Sequence, residues 1–149
     1  MHIVVVHQFY LMPGMPGGSR FNELTRLWHQ AGHEVTVIAG NLDYASGSVP
    51  ERYRGRWIVE EEDDGVRVLR CRVPTSYNKS YFGRMVAFGG FTAAACAATL
   101  KVRDPDVVIA TSPALTVAIP GWLLAHGRNN IPWIFEIRDL WPESAVTTG

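Results

Sequence analysis

The chain has 149 residues, 47% of them apolar, which is the length of one domain with enough apolar surface for a single core. Its 14 Lys and Arg balance its 14 Asp and Glu, so no net field points to nucleic acid or to an acidic partner. Cys71 and Cys96 are the only cysteines and lie far apart, which excludes a disulfide framework and a paired metal or redox motif; reduced thiols in a cytosolic protein are expected.

The first element is a β-branched run, Ile3-Val4-Val5-Val6, that lacks the basic leader and long apolar stretch of a secretory signal. It predicts a strand covered on both faces, the kind found in parallel sheets. After a glycine-rich loop, Phe21, Leu24, Leu27, Trp28 and Ala31 recur at helical spacing on one face. Ser19 stands at the N-cap and Gly32 at the left-handed stop. Residues 34–39 then read as a second parallel strand, completing a β-loop-α-β unit. Residues 40–56, rich in Gly, Ser, Asn, Pro and charge without periodicity, predict a mobile surface loop.

Residues 57–61 and 66–73 flank Asp64-Gly65, a hairpin signal, and the alternation of Val66 and Val68 with Arg67, and of Leu69 with Arg70, predicts an edge ribbon with one wet side. Residues 81–102 predict a helix rich in Ala and Phe. Gly89-Gly90, each costing up to about 1 kcal/mol against alanine, marks a close contact or a kink there. The uncharged stretch within it, residues 85–100, is 16 residues long, short of the roughly 20 that a spanning helix needs, so a soluble protein is expected. Residues 107–110 read as a third buried strand, residues 114–126 as an apolar helix, and residues 131–137 as a fourth parallel-type strand.

The expected fold is therefore α/β: a doubly wound, mainly parallel, Rossmann-like sheet with an edge β-hairpin. In such a sheet ligands bind beyond the carboxyl ends of the strands, so the loops starting at His7, Gly40, Thr111 and Arg138 should converge on one crevice. Eight of the 14 cations (Arg52, Arg54, Arg56, Arg67, Arg70, Arg72, Lys79, Arg84) fall in one third of the chain. They read either as a basic face toward anionic lipid or diphosphate or, given the acidic run 60–64 among them, as a mixed solvated surface.

Three constellations at these exits could carry chemistry. The loop Pro13-Gly14-Met15-Pro16-Gly17-Gly18-Ser19-Arg20 joins a strand end to a helix start, where glycines let main-chain N–H groups and the positive helix end meet an anion. It is neither the dinucleotide fingerprint nor a P-loop, and a turn without a ligand is the alternative. At the fourth strand exit, Glu136, Arg138, Asp139 and Glu143 surround Trp141-Pro142. They suit sugar hydroxyls or a diphosphate, against the alternative of an ion pair of Arg138 with Glu136 or Asp139. At Thr111-Ser112-Pro113 the hydroxyls either cap the following helix or face the crevice, with capping the favoured reading. His7 leaves the first strand toward the crevice, whereas His2, His29, His33 and His126 form no metal set and read as surface or packing residues. No G-x-S-x-G elbow is present.

Pro16-Gly17-Gly18-Ser19-Arg20-Phe21, with Glu23-Leu24, Leu27 and the segment Gly32-His33-Glu34-Val35-Thr36-Val37 to Gly40, resembles the opening of family 4 retaining glycosyltransferases of GT-B architecture. Phe135-Glu136-Ile137-Arg138-Asp139-Leu140-Trp141-Pro142-Glu143-Ser144 resembles the branch that builds bacterial surface polysaccharides, including fucosamine-transferase-like and colanic-acid-type enzymes. The resemblance implies a two-domain enzyme of two Rossmann-like halves, of which residues 1–149 are the N-terminal, acceptor-side half; the nucleotide-sugar-binding half, with its Glu-x7-Glu pattern, is missing. The ending at Thr147-Thr148-Gly149 then suggests a truncated or natural fragment, inactive alone.

By the same resemblance Gly17, Gly18 and Ser19 approach the donor diphosphate, and Asp139 and Arg138 are the catalytic candidates. A histidine commonly stands in the family where this chain has Arg138. His7, Ser112, Glu136 and Glu143 are the candidates for acceptor or sugar binding. The implied partners are a nucleotide-sugar donor and a lipid-linked or saccharide acceptor, with no metal and no separate cofactor expected. The implied place is the cytoplasm, with peripheral contact at the inner face of the plasma membrane through residues 81–100 and nearby arginines as a modifier. A stand-alone Rossmann-like module binding a nucleotide or sugar phosphate is the alternative from another class.

Overall fold

The structure, a computed structural model, describes residues 1–17, 19–77, 80–127 and 130–138. Its elements in chain order are β1 (His2–His7), α1 (Arg20–Gln30), β2 (Glu34–Gly40), β3 (Ile58–Asp63), β4 (Val66–Cys71), α2 (Tyr81–Thr99), β5 (Val107–Thr111), α3 (Ala118–His126) and β6 (Trp133–Glu136). They build one six-stranded sheet in the order β3-β4-β2-β1-β5-β6, parallel throughout except for β3, which runs antiparallel to β4. The expected α/β architecture with a mainly parallel sheet is thus present, and all five parallel strands point their carboxyl ends at one edge.

Strand alternation sorts the core into two layers. Val4 and Val6 of β1, Ile38 of β2 and Val108 and Ala110 of β5 meet Phe91, Ala94, Ala98 and Leu124 from α2 and α3 on one face. Ile3 and Val5 of β1, Val35 and Val37 of β2 and Val66 and Val68 of β4 meet Phe21 of α1 on the other. Helix α1 therefore stands on the opposite face from α2 and α3, the doubly wound arrangement. It ends as the sequence predicts: Gly32, at φ +86°, donates to the carbonyl of His29, and His33 donates to that of Trp28, which satisfies the last carbonyls in a Schellman motif. Asp64 and Gly65 both take positive φ, as a two-residue hairpin turn of the I′ type requires.

Several sequence expectations are corrected. Leu27 and Ala31 do not face the core. Leu27 is 58% exposed, and α1 buries Phe21, Asn22 and Thr25 instead, a face on which the Thr25 hydroxyl pairs with that of Tyr10 and Asn22 with the Leu11 backbone. The wet side expected of the ribbon exists on β3 but not on β4, an internal strand between β2 and β3 with Val66, Val68, Leu69, Arg70 and Cys71 all buried. Arg70 accordingly drops out of the solvated cation cluster. Strand β6, the fourth parallel-type strand read from the sequence, stands last in the strand order and is half-buried, with Ile134 exposed. The segment after β2 is anchored by the buried side chains of Asn41, Leu42 and Tyr53, by a 3-10 helix at Glu51–Tyr53 and by a bridge between Asp43 and Ser48. Gly90 does make the close contact foreseen for the glycine pair, against Pro74. Both cysteines are free, Cys71 buried, its thiol pushed up to about 12 by burial.

Candidate functional site

On the α1 face the apolar rows end in polar side chains. The strand period that points Ile3 and Val5 of β1 toward α1 next points His7 there; on β5, Val107 and Ile109 are followed by Thr111. On β6, Trp133 and Phe135 join the opposite layer, which leaves Glu136 on the face shared with His7 and Thr111. Register places Thr111 directly beside Glu136. Three strand exits therefore bring their polar residues together where helix α1 begins.

Glu136 is the centre of this group. One carboxylate oxygen accepts a hydrogen bond from the Thr111 hydroxyl at 2.7 Å, and the other accepts from the Arg20 guanidinium at the first turn of α1. Partial burial alone would raise its pKa, but the hydrogen bonds from Thr111 and Arg20 and the charges of Arg20 and Arg138 outweigh it, and the pKa is lowered. The Ser112 hydroxyl accepts the backbone N–H of Arg138 at 2.8 Å, and the Ser112 N–H donates to the Glu136 carbonyl at 3.0 Å. Two expectations change here. Thr111 and Ser112 cap no helix, since Ala114 and Val117 hold the N-cap positions without side-chain caps; the hydroxyls instead bind the neighbouring strand exit. Glu136 takes Arg20 as its partner in place of Arg138, because α1 projects its first side chain across the sheet edge.

His7 is 2% exposed, and both its ring nitrogens lack a hydrogen-bond partner among the described residues. The ring lies against Phe21 (5.4 Å between centroids) and edge-on to Tyr10 (6.4 Å). Burial, then the cation Arg138, pushes its pKa down to about 4; Glu136 acts in the opposite sense, and Arg20 lowers it further. His7 is therefore neutral near pH 7, with one ring nitrogen a donor and the other an acceptor.

The glycine-rich loop between β1 and α1 is held by a residue the sequence did not nominate. Arg70, fully buried on β4, donates to the carbonyls of Tyr10 (2.7 Å) and Leu11 (2.9 Å) and to the Glu61 carboxylate (2.7 Å). Asn22 of α1 closes the loop from the other side, accepting from the Leu11 N–H and donating to its carbonyl. Beyond this clamp Gly17 sits at φ +121°, which an L side chain would not readily adopt. Ser19 occupies the N-cap position of α1 but its hydroxyl makes no cap bond, so the helix start keeps donors open.

Of the sequence candidates, the structure gathers His7, Ser112, Glu136 and Arg138 at one edge, with Ser19 at the α1 start. Gly18, Asp139 and Glu143, like the Trp141-Pro142 pair, lie outside the described residues. Arg20 is the addition. A cation at the positive end of a helix opposes the dipole, and that misfit is the signal in the sequence that it has another task. Among the described residues no group of three or more His, Cys, Asp or Glu is placed to hold a metal.

An open, mainly parallel α/β sheet with a charged, hydroxyl-bearing carboxyl edge and an uncapped helix start defines a domain of the nucleotide- or sugar-handling class. Residues 17–148 match the glycosyl transferase 4-like domain, and the chain belongs to that family of glycosyltransferases. No match was found among curated proteins.

Proposed function

We propose that this chain is the acceptor-side half of a retaining glycosyltransferase. It would transfer a sugar from a nucleotide-sugar to a lipid-linked or saccharide acceptor in surface-polysaccharide synthesis, in the fucosamine-transferase-like or colanic-acid-type branch. The observation that carries the reading is His7: a neutral, buried imidazole without a partner among the described residues, next to Glu136, Arg20 and Arg138 at the ligand edge of the sheet. An unsatisfied buried donor or acceptor costs about 1–3 kcal/mol, which a sugar hydroxyl reaching the ring would recover.

Each residue would then have a task. His7 and Glu136 would hold hydroxyls of the acceptor or the transferred sugar, Ser112 fixes the backbone of Arg138, and Arg138 and Asp139 would be the catalytic residues. Gly17, Gly18, Ser19 and the open N–H groups of α1 approach the leaving diphosphate, where preorganised donors act most strongly. The acceptor hydroxyl attacks the face from which the diphosphate departs, giving retention.

Membrane contact would run through the start of α2. Tyr81, Phe82, Met85 and Val86 are exposed there, Phe82 at 76%, and Arg84 is the only charged residue of the helix. No helix among the described residues is long and apolar enough to cross a membrane.

The test is transfer by the full reading frame that carries this chain, with UDP- and GDP-sugars and a prenyl-diphosphate-linked sugar as acceptor. Donor-dependent product that falls at least 100-fold in Glu136→Gln supports the reading. A folded protein that consumes no donor refutes it, and tight binding of UDP by residues 1–149 alone would favour a stand-alone binding module.

A further inference from the structure

A concavity opens at the same sheet edge, beyond the carboxyl ends of β2 and β4, and shares no lining residue with the His7 group. Its volume is about 410 Å³, within the range of small-ligand sites. Asn41 from the β2 exit, Arg72 and Thr75 from the β4 exit, and Arg54 and Arg56 from the segment after the 3-10 helix line it. Three arginines line it, and among the described residues no Asp or Glu does.

Three carboxylates of the flanking segments are already engaged, and Glu51, exposed on the 3-10 helix before Arg54, is not among the lining residues. Glu60 holds Arg67, Glu61 holds Arg70 and the Tyr53 hydroxyl, and Asp43 accepts from Ser46 and the Ala45 N–H within its own turn. Among the described residues Arg54, Arg56 and Arg72 have no carboxylate partner. Their other contacts are weak: Arg54 makes a long 3.4 Å bond to the Val49 carbonyl, and Arg72 lies 5.8 Å from the centroid of the Trp57 ring. The floor is rigid by comparison, because buried Asn41 accepts from the Val73 N–H at 2.9 Å and donates its own N–H to Cys71 at 3.0 Å. Three arginines lining one concavity with no acidic residue in its lining leave positive charge uncompensated there, and a phosphate group would supply the counter-charge while matching the planar donor geometry of a guanidinium.

We propose that this concavity is an oxyanion subsite that takes the phosphate or diphosphate group of a ligand. It stands on its own chemistry and does not depend on the transfer reaction, so either can fail without the other.

The probe is inorganic pyrophosphate, titrated calorimetrically into the protein at low and at physiological salt, with UDP and farnesyl diphosphate as parallel arms. The expected result is salt-weakened binding that falls about tenfold or more in Arg54→Gln and in Arg72→Gln and persists in Arg103→Gln, which removes the same charge at the opposite sheet edge. These arginines are exposed, so the variants should keep the wild-type melting temperature. Tighter arginine-dependent binding of farnesyl diphosphate assigns the site to a prenyl-linked ligand, and tighter binding of UDP assigns it to a nucleotide. Absence of pyrophosphate binding at millimolar concentration, or binding indifferent to the two glutamine variants, overturns the proposal.

Discussion

Arg70 of β4 donates from its buried guanidinium to the carbonyl oxygen of Tyr10 at 2.7 Å, so the second parallel crossing of the sheet holds the loop that precedes α1 by its backbone. The same side chain neutralises Glu61 on the edge strand. One buried cation thus ties the hairpin, the sheet centre and the glycine-rich loop together.

Arg70→Met should destabilise the protein by about 3–5 kcal/mol in urea unfolding, because it leaves Glu61 without its cation, with only the Tyr53 hydroxyl to bind it, and the Tyr10 and Leu11 carbonyls without their donor. Adding Glu61→Leu should recover part of the loss, since it removes the uncompensated carboxylate. Proteolysis within residues 12–17 should accelerate in the single variant. A cost under about 1 kcal/mol would show that the clamp is dispensable.

His7 makes stability depend on pH. Its pKa is about 4 in the folded protein and near 6.5 unfolded, so between these values the unfolded chain binds the extra proton. The stabilisation from keeping His7 neutral is complete above pH 6.5, erodes as the pH falls toward 4, and levels off below that, a loss of about 3 kcal/mol. Chemical denaturation from pH 7.5 to 3.5 should show this slope, and His7→Leu should remove it. Parallel slopes in the two proteins would contradict the assignment.

The Arg20–Glu136 pair is partly exposed, so it should matter little for stability and much for ligand handling. Arg20→Gln is expected to shift unfolding by no more than about 1 kcal/mol. In the transfer assay the same change should lower kcat/KM by roughly 100-fold, about 2.7 kcal/mol of transition-state binding. Equal and small effects on both readouts would make the pair a surface contact only.

The adjacent glycines of α2 should respond in opposite directions. A methyl group at Gly89 meets nothing within 4 Å, so Gly89→Ala should stabilise the helix by up to about 1 kcal/mol. At Gly90 the added carbon would stand 2.5 Å from the Pro74 ring, and Gly90→Ala should cost about 1–3 kcal/mol. Thermal melts of the two variants against wild type check both signs at once.

The elements were legible in the sequence because their signals are local. A run such as Ile3-Val4-Val5-Val6 has no way to satisfy its apolar side chains except between two covered faces, Asp64-Gly65 supplies the positive φ its turn needs, and Gly32 stops α1 where the pattern ends. His7, Ser112, Glu136 and Arg138 could be nominated for the same reason: they lie within the first few residues after the apolar runs of their strands, and parallel strands deliver such residues to one edge.

What each nominee touches was decided only by the tertiary structure. Alternation along β4 marks Arg70 as facing away from Leu69, but not that β3 would take the edge and the β1–α1 loop would cover the remaining face; strand order, not sequence period, made that arginine a buried clamp. Thr111 and Ser112 carry hydroxyls equally suited to a helix cap, and the β5–β6 register gave them to Glu136 and Arg138. Sequence fixes which backbone groups can pair along a strand, whereas the partner of a side chain is set by segments that meet only when the sheet closes.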